Sequence, residues 1–170
     1  MQGTRCKVRG ARYEVQGTRC KVEGSRYEGQ DLVRSKFGFL FSNFKKVKDM
    51  KNESIMQKKS FAFAVKIIEL YKFLTSTKKE FVISRQILKS GTSIGANIEE
   101  ASGAQSTKDF LSKISIAYKE ARETSYWLKL LHATDYISVE DFNDYFEDSQ
   151  ELCKMLGKTQ VTIKKKMKES

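Results

Sequence analysis

A stretch without proline, residues 60–167, constrains the fold of this chain more than any other feature. Its apolar residues recur at alternating steps of three and four, the spacing that places side chains on one face of an α-helix. Proline would remove a backbone donor and clash with the preceding turn, so its absence permits long helices. The two-residue alternation typical of strands is missing from this stretch. The sequence therefore predicts an all-α fold.

The apolar pattern divides this stretch into four helices. They are predicted over about residues 60–75, residues 81–102, residues 107–133, and from residue 139 to at least residue 163. Ser106 and Ser138 are predicted N-caps, each followed three residues later by an aspartate, and Gly103 suits a helix C-terminus. Helices joined by short connections pack as antiparallel neighbours, so we expect an antiparallel up-down-up-down four-helix bundle.

The first thirty residues carry a seven-residue repeat, in which Gln2–Val8 recurs unchanged fourteen residues later. A glycine in every repeat costs about 1 kcal/mol of helix propensity, and each repeat has fewer apolar positions than a coiled coil needs. We interpret residues 1–55 as a repetitive basic extension that is disordered or that lies upstream of the true start, at Met50 or Met56. Residues 56–170 are then the bundle domain.

The charge of the chain is unevenly distributed. Residues 1–50 hold twelve of the 32 basic residues and five of the 21 acidic ones, a net charge of +7 out of +11. A basic surface raises affinity for phosphate backbones. Most of the excess, however, lies outside the predicted bundle.

The predicted fourth helix separates its charges. Residues 135–151 hold seven acidic residues and no basic ones, whereas residues 153–168 hold six lysines and no acidic residue. This arrangement complements the helix dipole, and it gives each protomer an acidic and a basic end, which favours head-to-tail rings. A solvated C-terminus is the alternative to a binding site at the basic end. The candidate nucleic-acid residues are Lys154, Lys158, Lys164, Lys165, Lys166 and Lys168.

The predicted third helix carries a second row of side chains beside its core row. A helix with two half-apolar faces has more to bury than one bundle core needs, so the second row is a candidate oligomer face. The alternative is a wide core face with a partly exposed tryptophan. The row comprises Ile116, Glu120, Glu123, Trp127 and Leu130.

On the predicted second helix, Ser93, Asn97 and Glu100 share one flank. Serine and asparagine are poor helix formers, and buried polar groups need partners, so we predict an interhelical polar network. A ligand site is the alternative. The expected partners on the third helix are Lys119, Arg122 and Tyr126.

Catalytic, cofactor and metal sites have little support. His132 is the only histidine, no Cys/His cluster occurs, and the Glu-x-x-His pair of di-iron bundles is absent. Phosphate-loop and dinucleotide motifs are also absent. We expect neither enzyme activity nor a cofactor. No apolar run reaches the ~18 residues of a spanning helix, and the first residues lack the apolar core of a signal peptide. We therefore expect a cytoplasmic protein outside the membrane.

Three blocks carry a family resemblance: residues 93–101 (Ser-Ile-Gly-Ala-Asn-Ile-Glu-Glu-Ala), residues 108–110 (Lys-Asp-Phe) and residues 116–128. In this order and spacing, they resemble the bacterial four-helix-bundle proteins encoded in intervening sequences of 23S ribosomal RNA genes. The resemblance covers about residues 58–166. It implies a ring, a homopentamer, and kinship with the accessory variability determinant of diversity-generating retroelements, which binds nucleic acid and a reverse transcriptase.

We therefore expect a non-enzymatic oligomer that binds RNA or DNA through basic surfaces, with a reverse transcriptase or another protein as a further partner. The alternative is a structural or protein-partner adaptor with no affinity for nucleic acid. A salt-dependent affinity for nucleic acid would distinguish the first hypothesis from the second.

Overall fold

The computed structural model of the protein describes residues 5–8, 11–16, 19–22 and 54–169. The chain divides into two units, residues 1–52 and residues 53–170. The prediction of Met50 as initiator falls outside the described residues.

The repeat in the first unit contains three strands. They are β1 (Arg5–Val8), β2 (Ala11–Gln16) and β3 (Arg19–Val22). The strands form an antiparallel sheet in the order β1-β2-β3, with Arg5 opposite Glu14 and Tyr13 opposite Val22. These strands were not predicted, because the two-residue alternation within each repeat is short and the seven-residue period is the stronger pattern.

Residues 54–169 form four helices, which confirms the all-α fold class predicted for this part of the chain. The helices are α1 (Ile55–Ser76), α2 (Ile83–Ser102), α3 (Thr107–Ala133) and α4 (Val139–Glu169). None of the helices in residues 54–169 is long and apolar enough to cross a membrane. The same residues contain no group of three or more side chains suited to hold a metal ion.

Each helix packs antiparallel against the next, and α4 returns to α1. Residue numbers rise along one helix as they fall along its neighbour, which gives the up-down-up-down arrangement. The pairs that set these directions are Gln57–Ser102 and Ile67–Gly91 (α1 and α2), Ser90–Thr124 and Glu100–Lys113 (α2 and α3), Ser115–Gln160 and His132–Phe142 (α3 and α4), and Lys59–Glu151 and Lys66–Asp144 (α4 and α1).

All four helices contribute to one apolar core, which follows the predicted stripes closely. The fully buried large apolar side chains are Phe63, Ile67, Leu74, Ile87, Ile94, Ile114, Leu128, Leu131, Leu152 and Leu156. The predicted stripe of α4 continues to Thr159 and Ile163, but these two are only partly buried. The reason is the helix register: α1 begins near the level of Met155, so no turn of α1 within residues 54–169 covers the end of α4.

The helix starts follow local capping chemistry. The predicted caps are confirmed, since Ser106 accepts a hydrogen bond from the backbone N–H of Asp109, and Ser138 accepts one from Asp141, both at 3.1 Å. The predicted start of α1 at residue 60 was too late. Ser54 caps this helix through a reciprocal capping box with Gln57, a Ser-x-x-Gln signal present in the sequence.

Candidate nucleic-acid interface

A groove runs along the outer side of the α3–α4 pair and encloses about 600 Å³. The residues that line it recur at steps of three and four on both helices, beside the buried row of each. From α3 they are Tyr118, Arg122, Ser125, Tyr126 and Lys129, and from α4 they are Gln150, Cys153, Lys154 and Gly157. We call this site the α3–α4 groove.

The charged residues of the α3–α4 groove are all basic. They are Arg122, Lys129 and Lys154, and within residues 54–169 none of the three forms an ion pair. The Arg122 guanidinium lies 5.9 Å from the centre of the Tyr118 ring, and the Lys129 ammonium lies 5.3 Å from that of Phe146. Cations packed on aromatic faces keep their positive charge, so the groove is electropositive.

Three acidic residues of α4 are directed away from this groove. Lys66 of α1 binds Asp144 at 2.9 Å and Asp148 at 2.6 Å, and Lys59 binds Glu151 at 2.5 Å. Burial alone would lower the pKa of Lys66, but its hydrogen bonds to the two aspartates raise it. The contacts with α1 therefore neutralise Asp144, Asp148 and Glu151, whereas the exposed Glu147, one turn before Gln150, lies on the groove side of α4.

Two tyrosines are part of the groove wall on α3. Tyr118 and Tyr126 lie two helical turns apart, with Arg122 one turn from each. The Tyr126 side chain is 58% exposed, and its ring meets the Trp127 ring edge-on at 5.0 Å. The groove thus combines the exposed Tyr126 ring and the half-buried Tyr118 ring, over which Arg122 lies, with cations that form no ion pair in residues 54–169.

The floor of the groove is polar. The hydroxyls of Ser125 and Ser149 lie 2.9 Å apart, and the Gln150 side-chain amide donates to the Ser125 hydroxyl at 3.2 Å. Burial raises the pKa of the Cys153 thiol beside them, although Ser125 and Arg122 oppose that shift. Cys153 is therefore a neutral thiol near pH 7, in keeping with the packing role of a free cysteine.

The six lysines predicted as one nucleic-acid site are spread around the second half of α4. Lys154 lines the groove, and Lys158 and Lys165 lie within about 40° of it around the helix, because they follow it by four and eleven residues. Lys164 and Lys168 lie on the Gly157 side of this row, and Lys166 aligns with Asp148 on the face that meets α1.

The predicted polar residues of α2 have other partners than expected. The Asn97 side chain donates to the backbone carbonyl of Ser93 in the same helix at 2.8 Å, while Glu100 pairs with Lys113 of α3. A buried hydrogen bond between α2 and α3 comes instead from Ser90 and Thr124, whose hydroxyls lie 3.0 Å apart.

The predicted oligomer row lies on the side of α3 that faces α2, away from the groove. Ile116 is 37% exposed, whereas Trp127 packs partly against the core and donates its indole N–H to Glu123 at 3.0 Å. Burial and Glu123 raise the pKa of Glu120, and the charge of Lys89 on α2 opposes this rise. Leu130 is half-buried. We call Ile116, Glu120, Glu123, Trp127 and Leu130 with Lys89 the α2–α3 face.

His132 lies at the end of the core. Its ring stacks on Phe142 at 4.7 Å, and its Nδ1 atom is buried with no hydrogen-bond partner in residues 54–169. This packed ring is remote from the thiol of Cys153 along both helices, so the two do not form a nucleophile–base pair.

Lys154 was predicted as a site residue, but the α3 half of the groove was not. Arg122 and Tyr126 were named only as partners for α2, and Tyr118 and Lys129 were not singled out. A signal was present: aromatic and basic residues alternate along Tyr118-Arg122-Tyr126-Lys129 at helical spacing. Which side of α3 meets α4, however, follows only from the packing.

Comparisons with known proteins agree on one family. The family model of the 23S rRNA-intervening sequence protein matches residues 52–158, a span that includes the whole α3–α4 groove. A crystal structure from Bacteroides thetaiotaomicron VPI-5482, of a protein with unknown function from the S23 ribosomal protein family, is 54% identical to this chain with a TM-score of 0.62. The match covers 62% of this chain and 98% of that chain. No curated protein matches.

Proposed function

This chain belongs to the 23S rRNA-intervening sequence protein family, and we propose that it is a non-enzymatic, oligomeric helical bundle that binds RNA or DNA through the α3–α4 groove. One observation carries the proposal: Arg122, Lys129 and Lys154 converge on one groove without a carboxylate partner in residues 54–169. Such a set of cations recruits phosphate groups and releases the counterions bound to them.

The distribution of charge supports this proposal better than the total does. Residues 54–169 hold 19 basic and 15 acidic residues, a modest excess. Ion pairs neutralise lysines at the contacts of α1 with α4 and of α2 with α3, such as Lys66 and Lys113. Other cations of residues 54–169, such as Lys58 and Arg85, also lack an ion pair, but the groove brings three of them, Arg122, Lys129 and Lys154, to one site.

The absence of enzyme activity is also a proposal, and it rests on the groove chemistry. Cys153 is the nucleophile type nearest to the cations, but burial raises the pKa of its thiol. A nucleophile needs a lowered pKa or an adjacent base. The groove therefore suits binding better than catalysis.

We also propose that the protein is a homo-oligomer, a pentamer, and that it assembles through the α2–α3 face in the cytoplasm. The exposed Ile116 and the half-buried Trp127, about three turns further along α3, give this face apolar area that the bundle leaves in contact with water. A reverse transcriptase or another protein is a candidate further partner, as the kinship with retroelement accessory proteins suggests.

The nucleic-acid proposal can be tested with a double variant of the full chain, Arg122→Gln with Lys154→Gln. Its matched control is Lys58→Gln with Arg85→Gln, which removes two exposed charges from the outer sides of α1 and α2. The affinity for fluorescently labelled RNA and DNA is measured by anisotropy over a range of salt concentrations. The basic N-terminal residues are present in both variants, so their contribution cancels in the comparison.

The groove variant should bind more weakly than the control, and its slope of log affinity against log salt should fall by roughly 1.4 on single strands, since each phosphate contact contributes about 0.7. Equal slopes in the two variants would remove the groove from the site. If the unmodified chain binds neither nucleic acid at low salt, the alternative of a protein-partner adaptor takes its place.

A further inference from the structure

We propose that the α3–α4 groove holds unpaired bases, so that its ligand is a single strand of nucleic acid rather than a duplex. This inference rests on the proposed function, which it makes specific. Cations alone would serve either form of nucleic acid, because both present phosphates. The tyrosines distinguish the two forms, because only unpaired bases offer open aromatic faces.

The positions of Tyr118 and Tyr126 fit this ligand. They are separated by eight residues of α3, which is about 12 Å along the helix axis at ~1.5 Å per residue. Arg122 lies midway between them with its guanidinium over the Tyr118 ring, so Tyr126 presents the open ring and the guanidinium beside it can meet a phosphate or a stacked base. Lys129 on the same helix and Lys154 on α4 supply two further positive charges to the groove.

The Tyr126 ring is exposed and yet held in place. It is 58% exposed, but its edge-on contact with Trp127 restricts its rotation, and the Trp127 indole is itself hydrogen-bonded to Glu123. A ring held in this way loses less conformational entropy when a base stacks on it. A base that stacks on the exposed face of the Tyr126 ring makes aromatic contacts that water cannot make.

The groove floor suits the edges of bases. The buried Ser125 hydroxyl is engaged by Ala121, Ser149 and Gln150, and it holds the Gln150 side-chain amide between the two walls, where the amide oxygen can accept a hydrogen bond from a base. Its volume of about 600 Å³ lies within the range of small-molecule pockets, so the groove can enclose individual bases.

The test compares three substitutions in the full chain: Tyr126→Leu, Tyr126→Phe and the control Phe81→Leu. Phe81 is 50% exposed and precedes α2, so the control removes an exposed ring far along the chain from the groove. The probes are single strands of about 12 nucleotides, one RNA and one DNA of the same sequence, and the matching duplexes. Binding is measured by fluorescence anisotropy, and circular dichroism verifies that each variant keeps its helices.

The single strands should bind more tightly than their duplexes. Tyr126→Leu should weaken single-strand binding by roughly tenfold, as the loss of one stacked base predicts, and should change duplex binding less than about twofold. Tyr126→Phe keeps the ring and should bind like the unmodified chain, as should Phe81→Leu. The difference between the RNA and DNA arms identifies which single strand is preferred.

The inference is overturned if Tyr126→Leu binds single strands as tightly as the unmodified chain, or if it weakens duplex binding equally. Suppose that the Arg122 and Lys154 substitutions weaken binding while Tyr126→Leu does not. The groove is then a phosphate site without base stacking: the proposed nucleic-acid binding is retained, and the preference for a single strand is overturned. Absence of binding to every probe would overturn both proposals.

Discussion

Gly91 of α2 lies directly against Ile67 of α1. A Cβ atom added at Gly91 would be 2.8 Å from Cγ1 of Ile67 and 3.2 Å from its Cβ, and Ile67 is fully buried. The two helices therefore approach each other at a point where only glycine fits. The second glycine of this helix, Gly95, has more room, since its added Cβ would lie 3.6 Å from the nearest atom, the Ser60 hydroxyl oxygen.

Gly91→Ala should lower the free energy of unfolding by about 1 to 2 kcal/mol, because the cost of overpacking exceeds the roughly 1 kcal/mol that alanine adds in helix propensity. Gly95→Ala makes an ordinary contact and should be neutral or stabilising by up to about 1 kcal/mol. Urea unfolding followed by circular dichroism measures both. Equal effects at the two glycines would contradict the close approach at Gly91.

Glu80 caps α2 from outside the helix, and its loss should destabilise the bundle. Its carboxylate accepts hydrogen bonds from the backbone N–H groups of Val82, Ile83 and Ser84 at 2.7 to 2.8 Å. Burial alone would raise the pKa of Glu80, but these bonds hold it below its ordinary value. Glu80→Gln should cost about 1 to 2 kcal/mol at pH 7, whereas exposed Glu147→Gln should cost little.

The Glu80 contribution also depends on pH. Because the pKa of Glu80 is lower in the folded state, the unfolded chain binds the proton more readily, and the stabilisation is present above about pH 4.3 and lost as the pH falls below it. Glu80→Gln should therefore lose less stability than the unmodified chain between about pH 5 and pH 3. Parallel curves for the two proteins would contradict this role.

Stability should also fall in alkali. Burial raises the pKa of the Tyr145 hydroxyl, with Asp141 and Asp144 adding to the effect, so the folded state keeps a proton that the unfolded chain loses above about pH 10. The raised pKa of Lys66 acts in the same direction at higher pH. Tyr145→Phe should keep more of its stability between about pH 9 and pH 11. An unchanged alkaline loss would exclude Tyr145 as its source.

The oligomer proposal predicts a change of mass in solution. Ile116→Lys, on the α2–α3 face, should reduce the mass measured by light scattering to that of one chain, because a lysine cannot be buried there without a partner. Ile68→Lys is the matched control, since Ile68 is 38% exposed on α1 and Ile116 is 37% exposed. A monomeric unmodified chain at tens of micromolar would exclude the oligomer altogether.

The sequence was informative wherever the deciding interaction is local. The caps at Ser106 and Ser138 involve residues three positions apart, and both were predictable from residue type. The cap of α2 was not predicted. Its N-cap residue, Val82, has no side chain that can accept a hydrogen bond, and the carboxylate of Glu80, two residues earlier, accepts these bonds instead. Here the capping group is local but is not one of the usual N-cap residue types.

The partners of charged residues could not be predicted in this way. Glu100 was expected to reach Lys119 or Arg122, but it pairs with Lys113. The register of α2 against α3 places Glu100 opposite the turn that contains Lys113. The lysines of α4 were expected to form one site, but Lys154 lines the groove whereas Lys166 aligns with Asp148 on the face that meets α1. A run of like charges along a helix does not reveal which neighbouring helix each charged side chain faces.

By itself, the sequence determined that this chain forms four helices with one apolar stripe each, since helical periodicity and capping are properties of short segments. Only the tertiary structure decided that Lys66 neutralises Asp144 and Asp148, while Arg122 and Lys154 form no ion pair in residues 54–169 and line one groove with the exposed Tyr126. The physical reason is that these partners lie far apart in the chain. Their meeting depends on the register of packed helices, which close contacts such as that of Gly91 with Ile67 fix.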